Sequence, residues 1–177
     1  MILINAPSLH MNSKLAGTIP TEIAKLTLAS YLYLYNNEMT GTLPTELGKM
    51  TGVGSFSLYQ NEFTGTIPME IAEMTLASYL YLHYNQLIGT IPTDIGRLTD
   101  MNYFYLHSNE LTGRIPRFSH ADPCIFHSAH SCSRICLSEL GAMTDTTSML
   151  LFNNELCGHI PDEASFRFPY TCCITHV

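Results

Sequence analysis

The tetrapeptide Gly-x-Ile/Leu-Pro begins at Gly17, Gly41, Gly65, Gly89 and Gly113, 24 residues apart each time, and returns at Gly158 after 45. A strict period of this size marks a solenoid, because one unit cannot bury its apolar face alone and must stack on its neighbours. The 177 residues suffice for one domain with a sizeable core.

Within each unit the apolar positions recur. Ala29, Leu32, Leu34, Asn37 and Met39 are followed by Val53, Phe56, Leu58, Asn61 and Phe63, by Ala77, Leu80, Leu82, Asn85 and Leu87, and by Met101, Phe104, Leu106, Asn109 and Leu111. The paired Leu or Phe positions alternate as one buried face of a strand does. A carboxamide in the same inward column needs partners, and stacked coils supply them if each Asn bonds the backbone of the loop beside it. Gly and Pro then bend the chain. "TEIAKL", "TELGKM", "MEIAEM" and "TDIGRL" return it, with apolar residues three apart (Ile23 and Leu26, Ile95 and Leu98) that suit one short 3₁₀ or α turn.

The run "MNYFYLHSNELTGRIP" resembles the plant-type leucine-rich repeat LxxLxLxxNxLTGxIPxxLGxLT, and the likeness extends over residues 8–116 and 138–161. The resemblance implies an α/β fold, a right-handed leucine-rich-repeat solenoid with a concave parallel β-sheet and short 3₁₀ or helical turns on the convex side. It also implies recognition of a protein or peptide without catalysis or cofactor, as in receptor-like ectodomains and polygalacturonase-inhibiting proteins. An extracellular or cell-surface location goes with it. The Tyr- and Thr-rich repeats are closer to algal or diatom members than to flowering-plant receptors. In the first unit, "SLHMNSKLAGTIP", one residue too many separates Asn12 from Leu15, and "MILIN" either adds a covering strand or leaves the first coil exposed.

One domain is expected over 1–177, interrupted by residues 117–137, "RFSHADPCIFHSAHSCSRICL". Removing these 21 residues shortens the last interval from 45 to 24, so the block is a clean insertion. Cys124, His127, His130, Cys132 and Cys136 match no standard zinc spacing. A disulfide-pinned loop, a disordered excursion and an unspliced segment stand beside the metal reading, and no metal site is assigned. Residues 157–177 resemble the family's closing cap. That likeness pairs Cys157 with Cys172 or Cys173, a loop of about 15 residues worth ~3 kcal/mol in the chain-entropy model, against two unpaired thiols. All six Cys lie from Cys124 onward.

Charge narrows the partners. A net charge of −7 with only 8 Lys+Arg repels phosphate backbones and anionic headgroups, so nucleic acid is excluded as the expected ligand. No apolar run approaches the ~20 residues of a membrane span. "MILINAPSLH" lacks the features of a signal peptide, so the leader of a secreted chain would lie outside this sequence.

The outward strand positions form columns. Tyr31, Ser55, Tyr79, Tyr103 and Ser148 make the first; Tyr33, Ser57, Tyr81, Tyr105 and Leu150 the second; Tyr35, Tyr59, His83, His107 and Phe152 the third. With Tyr84, nine of the ten Tyr fall on this face. The predicted ligand-binding residues are Tyr31, Tyr33, Tyr35, Tyr59, Tyr79, Tyr81, His83, Tyr84, Tyr103, Tyr105 and His107. Tyr offers amphipathic contact area at small entropic cost. An edge of Glu38, Glu62, Gln86, Glu110 and Glu155 carries no Lys or Arg, which favours a cationic partner through cation–π and ion-pair contacts. Alanine at Tyr81 and Tyr105 is expected to weaken binding by several kcal/mol with the fold intact. The competing account is that Tyr suits strands and packs on neighbouring Tyr for sheet stability.

Two further readings use the same period. Thr18, Thr42, Thr66 and Thr90, with Thr40, Thr64 and Thr112, form an array that orders water and binds ice or a crystal surface, though Ile88, Arg114 and His159 break it. Sugar rings stack on Tyr, so a glycan is the other candidate. No enzyme signature appears: Glu22, Glu46, Glu70 and Asp94 repeat with the period, as acids in a first helical turn do. His83 and His107 share a column, lack a third metal ligand and are expected to titrate near pH 6.

Overall fold

The computed structural model describes residues 8–10, 14–113 and 148–156. Twelve strands and four 3₁₀ turns alternate among them. The order is β1 (Ser8–His10), β2 (Ala16–Gly17), η1 (Thr21–Lys25), β3 (Tyr31–Tyr33), β4 (Glu38–Thr42), η2 (Thr45–Lys49), β5 (Ser55–Ser57), β6 (Glu62–Thr64) and η3 (Met69–Glu73). Then follow β7 (Tyr79–Tyr81), β8 (Ile88–Gly89), η4 (Thr93–Arg97), β9 (Tyr103–Tyr105), β10 (Glu110–Gly113), β11 (Ser148–Leu150) and β12 (Glu155–Leu156). The odd-numbered strands build one six-stranded parallel sheet in chain order, and the even-numbered ones two three-stranded parallel ribbons, β2–β4–β6 and β8–β10–β12. Parallel neighbours one coil apart, joined through short 3₁₀ turns, are the leucine-rich-repeat solenoid expected from the sequence.

Each coil closes over the same layer of side chains. Leu32, Phe56, Leu80 and Phe104 pair strand to strand and are 0–1% exposed. Leu58, Leu82, Leu106, Phe63, Leu87 and Leu111 are wholly buried beside them. The return turns add Leu47 and Met50, Ile71 and Met74, Ile95 and Leu98 from the opposite side. In the first turn Ile23 is buried and Leu26 only partly.

The Asn column closes the coils on one another. Asn85 Oδ1 accepts from the Phe63 amide of the preceding coil at 3.1 Å. Its Nδ2 donates back to Leu58 O at 3.1 Å and, within its own coil, to Leu82 O at 3.0 Å. Asn61, Asn109 and Asn154 repeat the pattern. All four are buried and satisfied, which removes the cost of a polar group in the core. The residue before each, and Asn36 before Asn37, is held at positive φ: Asn36, Gln60, Tyr84, Ser108 and Asn153, at 51–55°. That left-handed step turns the following Asn inward.

The four turns are 3₁₀, with bonds such as Ile23 N to Pro20 O and Ile71 N to Pro68 O. Pro20, Pro44, Pro68 and Pro92 precede them with extended ψ of 136–146°. Glu22, Glu46, Glu70 and Asp94 stand in the first turns. Gly41, Gly65 and Gly89 have φ of +73 to +80°, and a Cβ there would meet the Cγ2 of Thr18, Thr42 or Thr66 at 2.8–2.9 Å. The Gly-Thr pair is thus two constraints: a backbone only glycine adopts easily, and a threonine methyl filling the space a side chain would take.

After the undescribed stretch the coil resumes in register. Ser148 and Leu150 pair with Tyr103 and Tyr105, 45 residues back against 24 between β3, β5, β7 and β9, a difference of 21. Residues 117–137, the cap with Cys157, Cys172 and Cys173, and the "MILIN" segment lie outside the described residues, as does Asn12. β1 pairs Leu9 with Leu32.

Candidate functional site

The sheet strands place their even-numbered Leu and Phe inward and leave Tyr31, Tyr33, Tyr79, Tyr81, Tyr103 and Tyr105 on the opposite face. Register aligns them: Tyr79 pairs with Tyr103 and Tyr81 with Tyr105. Beyond the strand ends the third column makes a continuous ladder. Tyr35 stacks on Tyr59 at 4.7 Å between ring centres, Tyr59 on His83 at 4.6 Å, His83 on His107 at 4.5 Å and His107 on Phe152 at 4.4 Å. Interplanar angles stay between 5° and 21°.

Cross-links tie the columns together. Tyr31 meets Tyr33 at 5.8 Å, Tyr33 meets Tyr35 at 6.1 Å, and Tyr79 meets Tyr81 at 6.1 Å. Tyr81 meets His83 edge-on at 5.9 Å, Tyr79 stacks on Tyr103 at 5.3 Å, and Tyr81 lies 4.9 Å from Tyr105. Tyr84 leans edge-on against His83 and His107 at 5.6 and 5.2 Å. All eleven residues singled out from the sequence therefore belong to one connected set of rings. Phe152 continues it; sequence reasoning placed this residue in the column without counting it in the site.

Exposure across the face is uneven. Tyr31, Tyr79 and Tyr84 are 45%, 37% and 50% exposed, whereas His107 is 6%. His107 is a buried rung and not a surface contact, because Phe152, Tyr84, Tyr105 and His83 all pack on it. Stacking also changes what the face offers. Rings packed face to face spend their π faces on one another, so cation–π contact is confined to faces without a stacked neighbour.

Burial sets the protonation. It pushes the Tyr81 hydroxyl up to about 12, helped by Tyr105, Tyr79, Tyr103 and Tyr33, and raises Tyr59, helped by Tyr35. Burial lowers His83 to about 4, with repulsion from His107 adding to it, and lowers His107 to about 4. Titration near pH 6, expected from the sequence, is thus corrected: a protonated imidazole would sit against aromatic rings with little water. His83 Nδ1 and His107 Nδ1 are buried with no hydrogen-bond partner. At neutral pH Tyr59 and Tyr81 are therefore uncharged phenols and His83 and His107 uncharged imidazoles. No group of three or more His, Cys, Asp or Glu among the described residues is placed to hold a metal ion.

Coil three interrupts the aromatic columns. Ser55 lies between Tyr31 and Tyr79, and Ser57 between Tyr33 and Tyr81. The serines are only 5% and 2% exposed, and Ser57 Oγ has no hydrogen-bond partner. The columns named both serines; the structure shows them covered between the flanking strands of rings. Glu38, Glu62, Gln86, Glu110 and Glu155 are all exposed just past the Asn turns.

A family model, Leucine Rich Repeat, matches residues 30–50 and 78–98. No curated protein matches the chain. Among solved structures, the PEPR1–AtPEP1 complex superposes with a TM-score of 0.73 at 27% identity over 87% of this chain. The plant peptide hormone receptor RGFR1 in complex with RGF2 gives 0.66 at 27% over 80%. A plant ice-binding protein gives 0.64 at 23% over 80% of this chain and 39% of its own, a likeness of fold alone. The chain spans 19% of the length of each of the first two. The chain carries leucine-rich repeats and is similar in fold to plant receptor ectodomains. Among the described residues no helix is long and apolar enough to cross a membrane.

Proposed function

From a leucine-rich-repeat solenoid that carries a connected set of aromatic rings on its open sheet face, we propose a noncatalytic recognition module for a protein or peptide, with a preference for basic partners and an extracellular or cell-surface setting. The carrying observation is the ring network itself. Eleven rings lie outside the core, on a rigid sheet, beside an exposed column of Glu38, Glu62, Glu110 and Glu155. Similarity to the RGFR1–RGF2 complex supports a peptide as ligand. The exposed Tyr31, Tyr79 and Tyr84 suit contact with an extended backbone, and the acidic column with the net charge of −7 favours positive side chains.

Titration of two peptides of equal length, one basic and one acidic, tests the reading. The basic peptide binds the native chain and loses affinity by about tenfold or more in Tyr79→Ala/Tyr103→Ala, as for truncated hot spots; the acidic one does not bind. Equal binding of both, or binding indifferent to the substitution, overturns it.

The second reading rests on the ribbon. Thr18, Thr40, Thr42, Thr64, Thr66 and Thr90 are exposed, and Thr42 pairs directly with Thr64. Ice-recrystallisation inhibition abolished by Thr42→Lys/Thr66→Lys would favour it over peptide recognition, and no inhibition by the native chain would end it.

A further inference from the structure

Ser57 Oγ is left chemically incomplete by the ring network, as are the Nδ1 atoms of His83 and His107: it is a hydroxyl 98% screened from water, on an outward strand position, with no hydrogen-bond partner. The serine column runs along β5, and its flanking strands carry Tyr31 and Tyr33 on one side and Tyr79 and Tyr81 on the other. Two strand spacings, about 9.6 Å, separate the backbones of these walls. Tyr79 and Tyr81 stack on Tyr103 and Tyr105 on their far side; toward coil three they meet serine in place of a ring. The near faces of Tyr79 and Tyr81 are therefore where a π surface can be offered to a ligand. A flat group over the serines has aromatic contact with Tyr81 and an unsatisfied oxygen beneath.

We propose that this Ser55–Ser57 slot receives the guanidinium of an arginine from a bound basic peptide. The inference rests on the recognition role proposed above and names the side chain recognised. Guanidinium is planar, weakly hydrated and stacks on aromatic faces, and it carries five N–H donors, so one can satisfy Ser57 Oγ, which then accepts. An ammonium matches the charge but has no plane to insert. Charge complementarity selects a cation over a neutral planar group: the chain has a net charge of −7, and exposed Glu38 and Glu62 stand on the coils of the near wall and of the slot itself. The flanking rings screen the serines in the ligand-free protein, so entry requires Tyr33 and Tyr81 to rotate about their side-chain bonds while the sheet stays fixed, a change of the size commonly met on binding.

The test uses two hexapeptides of equal charge, alternating Gly-Arg and alternating Gly-Lys, titrated into the full chain and followed by NMR. The substitution Ser57→Tyr fills the slot with the side chain that Tyr33, Tyr81 and Tyr105 carry in the same column, so the coil stays foldable; Ser57→Ala removes only the oxygen. The arginine peptide is expected to bind about tenfold more tightly than the lysine peptide, with the preference erased by Ser57→Tyr and reduced by Ser57→Ala. Equal affinity for the two peptides, or an arginine preference that survives Ser57→Tyr, overturns the slot while leaving recognition of basic peptides standing. Failure of both peptides to bind the native chain overturns the slot and the recognition role together.

Discussion

Asn85 and Tyr84 are adjacent in sequence and do opposite work. Asn85 is 9% exposed and spans two coils through its carboxamide. Leucine at this position keeps the volume but strips the Phe63 amide of its partner and takes one of two donors from the Leu58 and Leu82 carbonyls, which keep Asn61 and Asn109, so a loss of about 2 kcal/mol in urea unfolding is expected. Tyr84 sits at φ 54°, a region asparagine tolerates better than a phenol, and Asn36 and Asn153 hold the equivalent step. Tyr84→Asn is therefore expected to leave stability within about 0.5 kcal/mol of native or raise it, while weakening peptide binding through loss of the ring. A fall in both would show that the ring serves the fold. His83 and His107 give the pH dependence. Both are held neutral in the fold down to about 4, whereas the unfolded chain takes up protons from about 6.5. The unfolded state then binds more protons between those values, so stability is full above pH 6.5 and declines as pH falls towards 4. The urea midpoint should drop over that window in the native chain and drop less in His83→Phe/His107→Phe, where Phe152 shows that a phenyl ring fits the ladder.

At the scale of elements, the strands were legible from Leu32–Leu34 and its copies, and the turn positions from Gly and Pro. The helix type was not. Five residues such as "TELGK" suit either turn, and the bond from Leu47 N to Pro44 O decides for 3₁₀. Neighbouring turns pack closely enough that a Cβ on Gly48 would overlap the Glu70 carbonyl oxygen of η3. Gly48→Ala should cost about 1–3 kcal/mol through this overlap, measured as a shift in the urea midpoint; no shift would mean that η2 and η3 separate readily. The Tyr columns were legible as columns because strands alternate. Their stacking was not, since the sequence fixes which side a ring leaves the sheet but not how its plane turns. For that reason the ring faces expected to attract cations are largely occupied by other rings, and alanine at Tyr81 or Tyr105 is now expected to lower stability as well as binding.

Across the whole molecule, stability of a solenoid is a sum of unit and interface contributions, and the β9–β11 pairing places the coil after the undescribed stretch in the same register as its predecessors. A chain lacking residues 117–137 puts Ser148 at the usual 24-residue spacing from Tyr103. It should therefore keep its far-UV circular dichroism and its urea midpoint; a lost transition would make the block part of the fold. What the sequence determined alone was whatever repeats: the period, the inward Leu and Phe, the buried Asn column and the outward side of the tyrosines, because backbone periodicity converts spacing directly into direction. Tertiary structure alone decided the rest. Ring planes, the burial of His107, the lowered imidazole titration and the orphaned Ser57 hydroxyl each depend on what the adjacent coil presents across one strand spacing, a neighbour 24 residues away whose side-chain rotation no local pattern specifies.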